Sequence, residues 1–355
     1  MSVARTLTYC LTVMVASVLL SSCGSKSGQQ NQEQDETAVL LSWLNENGNW
    51  INSQQVPAII TATEAYESMN SNTLFIDLRD PSQFAAGHIP RAINIVPAEL
   101  IEYLDNRLDI NAFDKVIFVC SRGQLSAWVN GIVRLLGYNN TFSIRYGLNA
   151  WDTSFAASGW DKVVSDKYSD HLAYGAGEKP VEKFDLPKIM TGKKTGYEIA
   201  HERASALLAE TTDQHFIEFD TLVAHPERYF LANYWSSTDY EEAGHLPGAF
   251  QFSPRISLAA DAMLHNIPSD RKVVVFCFTG HHSGHSVAFL RMLGYDAYSL
   301  LYGSNAFMHS KMTREGWPSS HAWSDIQKNT FPLTRAAAGP VSAGGQIKKA
   351  AQGGC

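Results

Sequence analysis

Three things are scarce in this chain, and each scarcity narrows what it can do. Positive charge is short: 28 Lys and Arg against 35 Asp and Glu leave a formal charge of −7 across 355 residues. That balance argues against a general nucleic-acid or anionic-membrane surface. An anionic ligand would have to be met by a local positive field. Cysteine is sparse as well: Cys10, Cys23, Cys120, Cys277 and Cys355 follow no disulfide-rich spacing. Long apolar runs are missing, since "LTYCLTVMVASVLL", positions 7 to 20, is too short to span a bilayer comfortably. The apolar content of 45% is ordinary, so real cores can form, and the length favours two domains of about 100 to 200 residues each.

The N-terminus reads as an export signal over residues 1–22, with Arg5 as a sparse positive region ahead of the apolar run. Leu20-Ser21-Ser22-Cys23, followed by Gly24, resembles the lipobox of bacterial lipoproteins. The resemblance implies that Cys23 is acylated and becomes the new N-terminus; an ordinary signal peptide or an uncleaved anchor is the alternative. No acidic residue follows Cys23 directly, which by the same resemblance implies a lipid anchor in the outer membrane, facing the periplasm. "GSKSGQQNQEQDET" then opens an expected flexible tether, residues 23–56. Without Cys10 and Cys23, three cysteines remain in an oxidising compartment. A Cys120–Cys277 bridge is one reading, but the position of each thiol favours chemistry over structure.

The chain also repeats itself. "AAGHIPRAINI" returns as "EAGHLPGAFQF", placing Gly87 and Gly244 157 residues apart. Cys120 to Cys277 and Gly137 to Gly294 keep that offset, and Gly147 to Gly303 shortens it by one. This is a tandem duplication. In each copy, short β-rich runs ("TLFID" and "KVIFV"; "YFLAN" and "KVVVF") alternate with helical patterns, which predicts an α/β fold with parallel strands buried on both faces. Helix starts are expected at Ser126 and near residues 283–286, with C-terminal caps at Gly137 and Gly294. The expected boundaries are domain 1 at 57–165, a linker at 166–195, domain 2 at 196–325 and a disordered tail at 326–355.

Both repeats put a lone cysteine between an apolar strand and a helix, in "VIFVCSRGQLSA" and "VVVFCFTGHHSG". That edge of a parallel sheet is where α/β folds bind ligands. Amide N–H groups of the turn and of the first helical turn can converge there on sulfur and, with the helix dipole, favour a thiolate nucleophile. Gly123 and Gly280, each third after the cysteine, let the backbone curl so that its amides face inward.

These pieces, with "FIDLRDPSQFAAGHIPRAINI" and "LLGYNNTFSIRYGLNAW" in the first copy and "STDYEEAGHLPGAF" and "MLGYDAYSLLYGSNAF" in the second, resemble the rhodanese family of sulfurtransferases. The resemblance covers roughly residues 60 to 320. It implies two tandem rhodanese-like domains, each a parallel five-stranded sheet flanked by helices. It also implies transfer of sulfane sulfur through a cysteine persulfide, without metal or organic cofactor. The partners implied are a small anionic donor such as thiosulfate and a thiol or cyanide acceptor. Cys120 and Cys277 are then the candidate sulfur carriers. Ser121, Arg122, Gly123, Gln124, Leu125 and Ser126 form the first candidate binding loop; Phe278, Thr279, Gly280, His281, His282 and Ser283 form the second.

The copies differ in their bracing. Asp77 and Arg79 fit the family's D-x-R strand end and His88 its GH-[IV]-P turn, matched by His245, whereas the second copy has Asn233-Tyr234-Trp235 at the D-x-R position. A cell-cycle-type phosphatase on this fold needs an arginine six residues after the cysteine, to clamp phosphate bidentately. Ser126 and Ser283 stand there instead. A non-catalytic envelope binding or sulfur-sensing module is the alternative from another class. Cys277, His281, His282 and His285 invite a metal reading; substrate-facing or solvated histidines are preferred. His88 and His245 are expected to be hydrogen-bonded structural residues, Trp151 and Phe307 core packing, and Arg134 and Arg291 solvated at helix ends.

Overall fold

A computed structural model describes residues 34–313 and 317–335. The expected signal, the expected lipidation site Cys23, Cys10 and Cys355 lie outside the described residues. Among the described residues, no helix is long and apolar enough to cross a membrane.

Each repeat folds around one five-stranded parallel sheet. The first contains β1 (Ile59–Ile60), β2 (Thr73–Asp77), β3 (Ile93–Asn94), β4 (Lys115–Val119) and β5 (Thr141–Ile144), in the order β1-β5-β4-β2-β3. The second contains β6 (Phe216–Ile217), β7 (Tyr229–Asn233), β8 (Phe250–Gln251), β9 (Lys272–Phe276) and β10 (Ala297–Leu300), in the matching order β6-β10-β9-β7-β8. The four runs singled out in the sequence are the central strands β2, β4, β7 and β9, residue for residue. Their interiors are continuously apolar because both faces are covered: Val116 through Val119 are fully buried, and β2 pairs with β4 from Thr73–Lys115 to Asp77–Val119.

The strand order creates the site. Connections run one way along the sheet from β1 to β3 and reverse from β3 to β5. The loops that follow the adjacent strands β2 and β4 therefore leave toward opposite faces, and a crevice opens at their carboxyl ends. Cys120 is the first residue after β4, and Cys277 the first after β9.

The helices that follow, Gln124–Leu135 and His281–Met292, start two residues before the expected Ser126 and the expected 283–286 region. They pack against each other and join the repeats. Small residues allow the close approach: Gly131 faces Ala288 and the His285 backbone, and Gly284 faces the Trp128 amide and Ala127. The Gln124–Leu135 helix is consequently buried nearly all round, as suits a helix with no outer face. Trp128 crosses the seam to stack on His215, with ring centroids 3.7 Å apart and planes 3° from parallel. Gly137 and Gly294 follow the two helices with φ of 98° and 96°.

Two expectations fail at the ends. The tether expected over residues 23–56 is folded from Asp35 onward. Asp35 caps the helix Glu36–Glu46, which buries Leu40, Leu41 and Leu44 against the Gly196–Leu208 helix. Glu36 accepts from the Thr191 amide and hydroxyl (both 2.6 Å) and from the Gly192 amide (2.8 Å), so this helix is stitched into the linker. Trp50 and Ile51 join the core. The polar lead-in masked a helical apolar stripe just behind it. The tail expected to be disordered from 326 is likewise placed up to residue 335. Asp152 bridges Thr330, Phe331 stacks on Tyr66 at 4.3 Å, and His88 and Thr334 exchange two backbone hydrogen bonds at 2.9 and 2.8 Å. An aromatic ring and a strand-like bridge anchor what composition alone left loose.

Candidate active site

Cys120 leaves β4 into a loop whose carbonyls are tied outward. The Cys120 carbonyl accepts from the Leu148 amide (3.0 Å), and the Ser121 carbonyl from the amide and side chain of Asn149 (3.1 and 2.9 Å). The Arg122 carbonyl accepts from Trp160 Nε1 at 3.0 Å. With its oxygens held away, the loop presents its amides to the sulfur. The Gly123 N–H reaches Cys120 Sγ at 3.1 Å, the Ser126 N–H at 3.3 Å, and Ser126 Oγ lies 3.4 Å away. Gly123 has φ of 87°, a left-handed conformation that a side chain would strain, and it caps the helix. Two main-chain donors at the positive end of a helix stabilise negative charge on that sulfur.

The neighbouring strand supplies the brace. Arg79 donates to Asp77 through Nε at 2.9 Å and Nη2 at 2.7 Å, and a further 2.6 Å bond reaches the Gly87 carbonyl. Both side chains are buried, so a desolvated bidentate pair locks the end of β2 to the His88 turn. His88 is held there by Phe84: Nδ1 lies 2.8 Å from its carbonyl and the ring stacks on it at 3.7 Å. His245 repeats the arrangement on Tyr240, at 3.1 and 3.5 Å. Neither ring is turned to a cysteine as a base would be.

Cys120 is only 3% exposed, yet it lines a groove of ≈ 1020 Å³ together with Arg79, Asp80, Ser121, Arg122, Gln124 and Leu125. The opposite wall, residues 208–213 with Phe216 and Glu218, comes from the second repeat. Arg122 is exposed at the rim, its guanidinium 5.5 Å from the Tyr302 ring centre. It supplies a local positive charge at the groove of a chain that is acidic overall.

Cys277 has the same address but different surroundings. It is 2% exposed, and the Ser283 N–H, at 3.4 Å, is its amide donor. Ser283 Oγ, 3.6 Å from the sulfur, is engaged with Ser299 Oγ at 2.8 Å. Phe278, where the first loop has Ser121, is stacked on Trp235 (4.5 Å) and His321 (3.6 Å), with Trp317 edge-on at 5.4 Å. These rings pack around Phe278 at the second loop. Gly280 shares the left-handed φ, at 78°, and Thr279 is buried beside it. At the D-x-R position, Asn233 is fully buried, and among the described residues neither end of its amide has a partner.

The histidines overturn the solvated or substrate-facing expectation. His281 and His285 are buried, and burial pushes His281 and His282 down to about 3 and His285 well below its usual value. The helix that carries them faces the partner repeat, not solvent. Among the described residues, no three His, Cys, Asp or Glu side chains gather as a metal would require. Cys120 and Cys277 are both free.

The arginines expected in solvent are also inside. Arg134 donates through Nε and Nη2 to the Thr141 carbonyl at 2.9 and 2.6 Å, and its burial brings it down to about 10. Arg291 pairs with Glu210 at 2.6 Å and reaches the Ala297 carbonyl at 3.3 Å. Each fastens the end of its helix to the start of the next strand. Trp151 and Phe307 are fully buried in the core. Asn149 and Asn305, which hold the loops' carbonyls, were missed; the repeated "YGLNAW" and "YGSNAF" contained the signal.

The family comparison agrees with the architecture. A family profile described as rhodanese-like domain matches residues 61–154 and again 226–310, together just over half of the chain. Among solved structures, the chain is similar to a thiosulfate sulfurtransferase from Pseudomonas aeruginosa at 15% identity, covering 80% of this chain and 48% of that one, with a TM-score of 0.27. It is similar to a probable thiosulfate sulfurtransferase at 17% identity, covering 70% and 97%, with a TM-score of 0.27. A rhodanese-related protein from Thermoplasma volcanium is 27% identical over 28% of this chain and 91% of its own, with a TM-score of 0.24. The chain belongs to the rhodanese-like domain family, which it carries twice in tandem.

Proposed function

We propose that this protein is a sulfurtransferase that carries sulfane sulfur on Cys120. The observation that carries the reading is the convergence of the Gly123 and Ser126 amides on Cys120 Sγ beside an open groove. In this scheme the Cys120 thiolate attacks the outer sulfur of thiosulfate. The new S–S bond forms as the donor's S–S bond breaks, and sulfite leaves with the electron pair. The terminal sulfur of the persulfide anion rests on the two amides. A thiolate or cyanide acceptor then attacks that sulfur, and the Cys120 thiolate is regenerated. Arg122 offers the local charge that draws an anionic donor past an acidic surface. A groove this large admits an acceptor thiol bigger than cyanide.

Cys277 carries no transferable sulfur in this reading, because aromatic rings pack around Phe278 in its loop and, among the described residues, the asparagine at its brace position has no partner. The protein acts at the envelope if Cys23 is lipidated; a Cys23→Ala form would then fractionate away from membranes.

Intact-mass spectrometry after thiosulfate treatment tests the proposal. The expected gain is one cyanide-removable sulfur atom that survives Cys277→Ser and disappears with Cys120→Ser. Absence of any such gain in the unaltered protein would leave a non-catalytic binding module as the better account.

A further inference from the structure

Each repeat sends the residue that opens its own loop helix into the loop of the other. Gln124 and His281 occupy matched positions, 157 apart. Gln124 Nε2 donates to the Thr279 carbonyl at 3.1 Å, and the Tyr146 amide donates to His281 Nε2 at 2.9 Å. His281 Nδ1 lies 2.8 Å from Thr279 Oγ1. A main-chain amide can only donate, so Nε2 is the ring's acceptor and Nδ1 carries the proton toward Thr279. Trp160 stacks alongside the ring at 5.9 Å, and Tyr146 meets it edge-on at 5.4 Å.

What this ring touches is the Cys120 cradle itself. The Cβ that Gly123 lacks would overlap His281 Nε2, so the imidazole lies directly on Gly123. Gly123 is the residue whose N–H reaches Cys120 Sγ at 3.1 Å. Tyr146, whose amide donates to the ring, has φ of 64° and stands two residues before the Leu148 amide that holds the Cys120 carbonyl outward. A non-glycine residue keeps such a conformation only where its surroundings over-determine it. His281 therefore touches both halves of the cradle: the donor aimed at sulfur and the corner that turns the carbonyl away.

We infer that His281, supplied by the second repeat, is a positioning residue for Cys120, fixing Gly123 and Tyr146 so that the Gly123 N–H stays aimed at the sulfur. This rests on Cys120 as the sulfur carrier. It gives the second loop a task in the first site.

The test follows the full-length protein by the rate at which iodoacetamide modifies Cys120, read by peptide mass spectrometry, and in parallel by sulfur loading from thiosulfate. His281→Ala should slow both by about ten- to a hundredfold, the scale of a misplaced catalytic group. His281→Gln, whose side-chain oxygen can accept from the Tyr146 amide, should restore both to within about threefold. Thr279→Val nearly conserves volume and frees only Nδ1, so it reports even if His281→Ala fails to fold; it should slow both rates less than His281→Ala. Arg255→Ala removes a bond to the Val56 carbonyl elsewhere between the segments and should lower the thermal midpoint with Cys120 reactivity unchanged. Normal Cys120 modification in a folded His281→Ala or Thr279→Val protein overturns the inference, as does equal slowing by Arg255→Ala. If the unaltered protein takes up no sulfur, the transfer reading fails, while the alkylation rates still decide the positioning role.

Discussion

The two cysteine loops share a strand-to-helix seam, a left-handed glycine and outward-tied carbonyls, yet they differ in what surrounds them. Around Cys120, two amides face the sulfur, a buried Asp77–Arg79 pair braces the neighbouring strand, and a groove opens. Around Cys277, among the described residues, one amide donor faces the sulfur and Asn233 takes the aspartate's place without a partner, while Phe278 is packed between aromatic rings. The difference teaches that the backbone cradle is inherited from the fold, whereas access and electrostatic bracing are set by the residues beyond the loop. Duplication copied the first and left the second free to change.

The comparison can be broken most completely at the sulfur. Cys120→Ser should abolish thiosulfate-dependent sulfur uptake while Cys277→Ser leaves it in place, as intact mass would show.

Next comes the brace. Asp77→Ala strands the buried Arg79 guanidinium and should cost about 3 to 5 kcal/mol in urea unfolding. Asn233→Ala removes an amide without partners among the described residues and should cost far less, because truncation leaves no new orphan behind.

Acid should act through the seam between the repeats. His281 and His282 are held neutral down to about 3 in the folded protein, against 6.5 for an unperturbed imidazole. The unfolded chain therefore binds protons that the folded chain excludes, and stability falls as pH drops below 6.5 toward 3. At pH 5.5 the loss should be about 1 kcal/mol per histidine relative to pH 7.5. Urea midpoints at the two pH values check it, and His282→Gln should reduce the drop.

The smallest effect is expected at the aromatic closure. Trp317→Ala removes one ring from beside Phe278, and alkylation of Cys277 should rise a few-fold without making it a sulfur carrier.

Much of this is legible in the sequence. The four central strands were readable because a parallel strand buried on both faces is a continuous apolar run, and the glycines at 123, 137, 280 and 294 mark turns that other residues strain to make. The cysteine seam followed from those two signals. What escaped lay at contacts between distant segments. Nothing local in "HHSGH" says that its helix packs on a second helix 157 residues away, so the histidines read as solvent-facing. Arg134 and Arg291 looked like ordinary helix-end charges until the next strand's carbonyls were found beside them. Residues 35–56 and 330–335 looked loose because polar neighbours diluted a few anchoring apolar side chains.

The sequence by itself determined the duplication, the strands and the cradle that bends at each cysteine, since these depend on residue type and short-range spacing. The tertiary structure alone decided that a groove lined by both repeats opens at Cys120, and that His281 of one repeat rests on Gly123 of the other. Burial and hydrogen-bond partnership across long sequence distances are properties of the packed chain, and no local pattern encodes them.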